Sequence, residues 1–584
     1  MKKKIKHICV VGGGVGGWFS AAWMSVKHPN IKVTLIESDK VGIIGVGEST
    51  LPQLGTMMKE IGLEERDWMA HTNSIYKLGN KFVGWNIEGK RDHAVNHYYC
   101  SRWDEQYYGF SYALPEKKIT SGLYHPLEKE DLFRNSKGQP GVDDKWNDYW
   151  LQLMRDGRKN HWEMAQDMQE GTYLMDYNKA PYDWDDNLLV GTWQGVTYHV
   201  DANRFPEIIR EKVALPNGVN HVHGHISDIK KDDDGYITSL VTEEGKEYEA
   251  DLFLDCTGFH RVLTKTMDVP WIDFEDVTTR SLVVAPIKYK DVHKEFRPYT
   301  MSNAMDEGWM FVIPLYNRMG AGYVYDETEI SKEDAMKKYK KYWDGYEFVQ
   351  EPQHMSWDAG KYETQWNKNV VSIGMCGSMI EPMEANILGI AQAGFQQCSK
   401  LITRAEERDG DGIIGRGSIH AYNKNLDWLV ETIKRFICFH YTLSEREDTP
   451  FWAKKKAIGI AENHKEKCWR EYRLPANNAE SGVPDFMWAM MAVASNKFDD
   501  DIKLNTKQHL MEQANEKFSW LRTSAKRNGL NAPNAYEWHK KVLFDGKTHD
   551  EVLQENLEKY QKVLRGSKEQ GMATPDGTLT SPGN

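Results

Sequence analysis

Four apolar residues, Ile8-Cys-Val-Val11, end in Gly12-x-Gly14-x-x-Gly17 and give way to the small and apolar residues Trp18, Phe19, Ser20, Ala21 and Ala22. The pattern predicts a strand, a tight glycine turn and a helix. A second apolar run, Val33, Leu35 and Ile36, predicts the next strand and ends at Glu37. Strand, glycine turn and helix in this order hold the pyrophosphate of a dinucleotide. The glycines let the backbone approach the phosphates, and the helix N-terminus offers free N–H groups and a positive dipole. An acid at the end of the second strand is placed to accept the ribose hydroxyls of an adenosine.

Further along, Gly45-Val-Gly47-Glu48-Ser49-Thr50 predicts a second glycine turn with hydroxyls at a helix start, which suits either a capped helix or more anion contact. A helix is expected over Gln53 to Trp68. From about Asn86 to Tyr198 the pattern is irregular and rich in rings and reads as an insertion, with a helical piece over Trp146 to Met168. The nucleotide-fold pattern resumes with a helix over Arg204 to Val213 and strands near His221 to Ile229, Gly235 to Thr242 and Glu247 to Phe253. The turn at Asp232-Asp-Asp-Gly235 makes these an antiparallel excursion. The strand Asp251 to Asp255 ends in Cys256-Thr-Gly258-Phe259, where an open α/β sheet places its ligand crevice. A β-rich stretch follows over Thr279 to Tyr325, then a strand and glycine turn at Asn369 to Ser378 and a helix over Ile390 to Arg404. Helical patterns continue at Leu426 to Tyr441, Phe451 to Tyr472, Lys507 to Arg522 and His549 to Leu564. The expected class is α/β: a Rossmann-like unit (1–85), an inserted aromatic-rich substrate region (86–197), the remainder of the core (198–405), a mainly helical part (406–566) and a disordered tail (567–584).

Composition narrows the function. A net charge of −12 argues against nucleic-acid binding, which requires a basic face. No apolar run reaches membrane-spanning length, and the apolar part of MKKKIKHICVV is too short for a signal peptide, so a cytoplasmic chain is expected. Seven scattered cysteines without CxxC spacing read as reduced thiols, with no metal site.

Taken in order, the segments GGGVGG, IGVGESTLP, YKLGNKFVGW, DCTGF, GWMFVIPL, GYVY, IEPMEANIL and FICFHYTLSEREDTPFW resemble the flavin-dependent tryptophan-halogenase family over about Ile5 to Trp452. The resemblance implies an FAD-binding domain of the GR2/monooxygenase type. It implies that reduced flavin takes up dioxygen as a hydroperoxide, that a halide attacks it to give hypohalous acid, and that this reagent reaches a separate substrate pocket through a tunnel. A family lysine, by position Lys77, then directs it onto an aromatic carbon by hydrogen bonding or as a haloamine. By pattern alone Lys77 is a surface charge, as its neighbour Lys81 is expected to be. Glu384 matches the second catalytic residue, although a carboxylate there also suits a helix cap and Glu381 lies one turn away.

The same resemblance implies cofactor contacts from Gly12, Gly14, Gly17, Glu37, Gly45, Gly47, Ser49, Ile226, Asp255, Gly258 and Met375. It implies a tunnel wall from Trp309, Phe311 and Pro314, with Phe311 where the family has a second Trp. At the halide site, the family's Glu-Ser-Thr-Gly is replaced by Glu384-Ala385-Asn386-Ile387, so Asn386 and Ile387 are expected to shape a less polar pocket that favours bromide or iodide over chloride. With no second strand–GxGxxG–helix unit for a nicotinamide, a separate flavin reductase is expected to supply reduced FAD. The expected partners are a small aromatic substrate of indole or phenol type, halide and O2. Membrane and nucleic acid are not expected, and the oligomeric state is left open. A flavin monooxygenase and a non-catalytic flavoprotein are the competing readings.

Overall fold

Strand β1 (His7–Val11) is buried along nearly its whole length, and helix α1 (Val15–Lys27) crosses from it to β2 (Lys32–Glu37), which pairs parallel with β1. Both strands are buried over four consecutive residues because both faces are covered. The computed structural model describes residues 1–41, 47–51, 53–85, 110–111, 146–160, 163, 166–167, 171–189, 196–409, 412–464, 504, 506–557 and 578–579. Most of the aromatic-rich insertion, Gly45, the continuation of the Phe451 to Tyr472 pattern beyond 464 and nearly all of the 567–584 tail lie outside the described residues.

Next come β3 (Glu48–Ser49), α2 (Gln53–Glu60) and α3 (Glu65–His71). The single helix expected over Gln53 to Trp68 is two, divided at Gly62, whose φ of +87° no continuing helix adopts. Strands β4 (Ile75–Lys77) and β5 (Gly79–Val83) follow, then α4 (Trp146–Arg155) and β6 (Thr197–Val200), which lies between β3 and β4 in a small antiparallel sheet. Helix α5 (Phe205–Ile209) leads to β7 (Asn220–His223), which joins β2 in parallel. The strand expected over His221 to Ile229 is also divided. Its second half, β8 (Ile226–Lys231), pairs with β9 (Ile237–Thr242), and β9 pairs with β10 (Glu247–Glu249), in the antiparallel excursion the turn predicts. The chain re-enters the main sheet as β11 (Leu252–Asp255), parallel to β1.

A second sheet is built from β12 (Ser281–Ile287), β13 (Thr300–Met305), β14 (Gly308–Pro314), β15 (Met319–Tyr325) and β16 (Gln353–Ser356), in the order β16-β12-β15-β14-β13-β5. Strands β17 (Trp366–Asn367) and β18 (Val370–Ser372) complete the first sheet, in the order β17-β18-β11-β1-β2-β7. Helix α6 (Asn386–Arg404) packs on α1 through Phe395, whose ring lies 5.3 Å from Phe19 and 5.8 Å from Trp23. Helix α7 (Arg416–Leu443) carries α8 (Pro450–His464) closely, because a Cβ on Gly459 would meet the Cys438 carbonyl oxygen at 2.6 Å. The fold is the expected α/β class, with two sheets over one large core and helices after it.

Beyond α9 (Met511–Asn531), the short helix α10 (Ala535–Val542) returns to the core. There the Tyr76 N–H donates to His539 Nε2 at 3.1 Å, so the C-terminal part closes over the strand that carries Lys77.

Candidate active site

The glycine turn is as tight as its spacing predicts. Gly12 has φ +110°, and a Cβ there would lie 2.4 Å from the Cys256 carbonyl oxygen, while one on Gly17 would lie 1.8 Å from the Gly12 oxygen. Gly14 faces open space, with nothing within 4 Å of where a Cβ would be. Gly14 is also the N-cap of α1, whose first turn has no side-chain cap and no acid, leaving its N–H groups for an anion. The Glu37 carboxylate reaches over Gly13 from the end of β2 and accepts from His221 Nε2 at 2.6 Å. These features fit a dinucleotide: a close backbone turn, open space before a helix N-terminus, and an acid held in place across the turn.

Asp255 plays a different part. Its oxygens accept from the Thr257 hydroxyl at 2.6 Å, the Leu263 N–H at 2.9 Å, and the Thr264 N–H and hydroxyl, both at 2.8 Å. It therefore shapes the loop that presses Cys256 onto Gly12. Ile226 starts β8 and packs against the smaller apolar cluster that includes Val11 and Ile36, outside the lining of the cavity described next.

A cavity runs from Gly47, Glu48 and Ser49 past Phe259 and Met375 to Glu384 and the start of α6, with Trp309, Phe311 and Ile313 of β14 in its wall. Gly322 of β15 makes room for the Phe311 ring, which would lie 2.3 Å from a Cβ there. The Trp309 indole N–H is buried with no hydrogen-bond partner among the described residues. Ser49 is joined to the end of β14 by a relay that the sequence does not announce. Its hydroxyl lies 2.9 Å from Thr300 Oγ1, Thr300 Oγ1 lies 2.8 Å from His199 Nε2, and His199 Nδ1 donates to the Pro314 carbonyl oxygen at 2.9 Å. Burial, assisted by the Lys77 charge, holds His199 well below the usual imidazole range, so it is neutral. The cavity also contains Glu48, whose carboxyl burial pushes up to about 7.

Lys77 is fully buried at the end of β4 and donates to the Thr50 carbonyl oxygen at 3.3 Å. Burial lowers its amine to about 7, against the opposing pull of the Glu384 carboxylate. Lys81 is an inward side chain too, paired with Asp176 at 2.8 Å under the Tyr299 ring. Glu384 sits in a left-handed turn, with φ +62° followed by +54° at Ala385. Its Oε2 accepts from Asn80 Nδ2 at 2.9 Å and its Oε1 lies 3.3 Å from His440 Nε2. It does not cap α6, whose N-cap is Ala385 without any side-chain hydrogen bond. Glu381 is separated from it completely: buried, it accepts from the Tyr441 hydroxyl at 2.9 Å and from the Thr279 hydroxyl, with Lys455 3.8 Å away.

Asn386 holds this turn together. Its Nδ2 donates to the Glu381 carbonyl at 2.7 Å and the Met383 carbonyl at 2.5 Å, so its amide is turned toward the loop backbone. What Asn386 and Ile387 leave for an anion is the uncapped backbone at the start of α6, beside the Ile387 and Leu388 side chains in the cavity wall. Asn80, His199, Thr300 and His440 are the site residues that sequence reasoning missed. A signal existed for Asn80, inside YKLGNKFVGW, and for His440, inside FICFHYTLSEREDTPFW. His199 and Thr300 come from distant segments and meet through folding.

Comparison with known proteins bears on the family and the fold. The sequence profile described as tryptophan halogenase matches residues 7–115 and 130–496. The tryptophan 6-halogenase ThaL of Streptomyces albogriseolus is 27% identical over 492 residues, covering 82% of this chain and 84% of that protein. The tryptophan 7-halogenase RebH of Lentzea aerocolonigenes is 26% identical over 472 residues, covering 80% and 82%. Among solved structures, a tryptophan halogenase from Shewanella frigidimarina superposes with a TM-score of 0.76 at 23% identity, over 94% of this chain and 99% of that one. This last likeness speaks for the fold.

Proposed function

Since the chain belongs to the flavin-dependent tryptophan halogenase family, we propose that this enzyme transfers halogen from a halide ion to an electron-rich aromatic ring, with reduced FAD and dioxygen as co-substrates. Reduced FAD, when bound, supplies the electrons by which dioxygen turns a halide into an electrophilic halogen. The observation that carries the reading is the charge interaction of Lys77, buried on β4, with Glu384, which lines the cavity in the turn before α6, in a chain that also holds a dinucleotide turn.

In this reading Gly12, Gly14, Gly17 and the α1 N-terminus hold the pyrophosphate, and Glu37 the ribose. Gly47, Ser49, Gly258 and Met375 contact the flavin end. Asp255 and Ile226 serve the cofactor indirectly, by shaping its loop and the sheet beneath it. Trp309, Phe311 and Pro314 wall the flavin side off from the organic substrate, and the Ser49–Thr300–His199 relay ties that wall to the flavin-side turn. The halide rests on the backbone N–H groups of Asn386 and Ile387, where the α6 dipole favours an anion. The apolar side chains around them penalise the strongly hydrated chloride, so bromide or iodide is preferred.

Lys77, with an amine near 7, is available in both protonation states at neutral pH. As an ammonium it donates to the oxygen of a hypohalous acid and orients the halogen toward one ring carbon. Glu384 offsets the positive charge of the halogenated ring and takes its proton. The substrate is an aromatic of indole or phenol type. A single dinucleotide turn among the described residues supports a separate reductase as the source of reduced FAD.

The test is a halide competition. Protein, FAD, a flavin reductase with NADH, dioxygen and a panel of indoles and phenols are incubated with equal chloride, bromide and iodide, with catalase and a Lys77→Ala control. Halogenated product that depends on Lys77, richest in bromide or iodide, is expected. Hydroxylated product, or oxygen consumption yielding only peroxide, would replace the halogenase reading with a monooxygenase or a non-catalytic flavoprotein.

A further inference from the structure

His440 is buried on α7 inside a box of rings, 4.8 Å from Phe82, 6.4 Å from Trp85 and 4.8 Å from Phe436 between centroids. Its Nδ1 lies 2.7 Å from the Phe436 carbonyl oxygen, which can only accept, so Nδ1 carries a proton. Its Nε2 lies 3.3 Å from Glu384 Oε1. A neutral imidazole with its proton on Nδ1 would aim a lone pair at a carboxylate, which is repulsive. The buried pair therefore holds one more proton, on Nε2 or on the carboxyl.

Asn80 decides between them, because its amide N–H donates to the other Glu384 oxygen at 2.9 Å, which favours the anion. His199 supplies the contrast within the same molecule. Its Nδ1 also donates to a carbonyl, but its Nε2 faces the Thr300 hydroxyl, a group able to donate, so a neutral ring satisfies that site.

We propose that His440 is a positioning residue that stands as an imidazolium and holds Glu384 ionised and aimed at the substrate side. This rests on the reading of Glu384 as the carboxylate of the chemical site. Glu48 lines the same cavity and the Lys77 amine acts on Glu384 from β4, while Glu381 and Lys455 pair with each other. When the halogenated ring loses its proton, the C–H bond breaks, its electron pair returns to the ring and the proton passes to Glu384. In the step before, the ring carbon bonds the halogen as the O–X bond of the hypohalous acid breaks, and the departing hydroxide takes a proton from the Lys77 ammonium and leaves as water. The imidazolium keeps the carboxylate anionic until the ring proton arrives.

The test is long-range proton–nitrogen NMR of the full chain labelled in histidine nitrogen, with the His440 signals assigned from His440→Gln. Near neutral pH both ring nitrogens of His440 should be protonated. In Glu384→Gln the ring should become neutral with the proton on Nδ1, as the new amide can donate to Nε2. A wild-type His440 with a bare Nε2 would overturn the proposal. In turnover assays, His440→Phe should lower kcat on the order of ten- to a hundredfold with FAD affinity unchanged. His440→Gln, which keeps a neutral donor, should recover part of the loss and move the acidic limb of the kcat–pH profile upward. An unshifted acidic limb would mean that His440 only packs. The NMR result is read without turnover, so an imidazolium in a protein that does not halogenate would sink the catalytic reading and leave the pair standing.

Discussion

The Lys455 ammonium lies 3.8 Å from the Glu381 carboxylate with both side chains buried, while Glu384, three residues on, faces the cavity. Removing one partner of a buried pair leaves an uncompensated charge, so Lys455→Met should destabilise the fold by about 3–5 kcal/mol. Glu384→Gln should unfold near the wild-type denaturant midpoint and lose halogenation by at least about a hundredfold. Denaturant titration beside a turnover assay separates the two acids. Equal loss of stability in both variants would mean that Glu384 is also structural.

Two buried groups make stability sensitive to pH in opposite senses. Lys77 is lowered from its ordinary value to about 7, so the unfolded chain binds more protons between about pH 7 and the ordinary lysine range, and stability rises with pH there. Glu48 is raised to about 7, so the native chain binds more protons between the ordinary glutamate range and about pH 7, and stability falls with pH there. Their combined penalty is greatest near pH 7. Glu48→Gln should therefore stabilise most above pH 7 and Lys77→Met most below it, each gain fading across its own window. Thermal midpoints measured from pH 5 to 9 check this, and a gain independent of pH would refute it.

The glycines of the dinucleotide turn differ in what they permit. Gly12→Ala should abolish FAD binding and damage the fold, because its Cβ would overlap the Cys256 carbonyl at a φ that an L-residue avoids. Gly14→Ala meets nothing in the protein and should fold normally, yet weaken FAD about ten- to a hundredfold, roughly 1.4–2.8 kcal/mol, by filling the space in front of α1. Flavin fluorescence titration with circular dichroism distinguishes the outcomes. Unchanged affinity in Gly14→Ala would place the pyrophosphate elsewhere.

Ile387 is the residue through which halide choice should be adjustable. Ile387→Gly removes the apolar wall beside the start of α6. It should shift the product ratio toward chloride about tenfold, or about 1.4 kcal/mol of selectivity. Product ratios from equal chloride and bromide measure it directly. An unchanged ratio would mean that the halide sits away from this turn.

The periodicity of the chain was enough for the Rossmann order β1–α1–β2, the antiparallel excursion of β8 to β10 and the β-rich character of Thr279 to Tyr325, because each rests on local apolar alternation and glycine turns. It did not show that Gly62 divides one helix, or that the run from His221 to Ile229 serves two sheets. Those breaks depend on which neighbour each half pairs with. Nor did it place the C-terminal part, whose His539 meets the Tyr76 backbone far back in the chain.

By itself the sequence determined the family and the dinucleotide turn, because these lie in short contiguous motifs, and through the resemblance it singled out Lys77 and Glu384 as candidates. Only the tertiary structure decided which carboxylate is which: Glu381 neutralised by Lys455, and Glu384 held by Asn80 and His440. It alone turned Asn386 inward to close the left-handed turn, and it alone lowered the Lys77 amine. The physical reason is that burial, hydrogen-bond stereochemistry and the field of a neighbouring charge are properties of what surrounds a residue, and the partners that hold Glu384 come from segments 56 and 304 residues away.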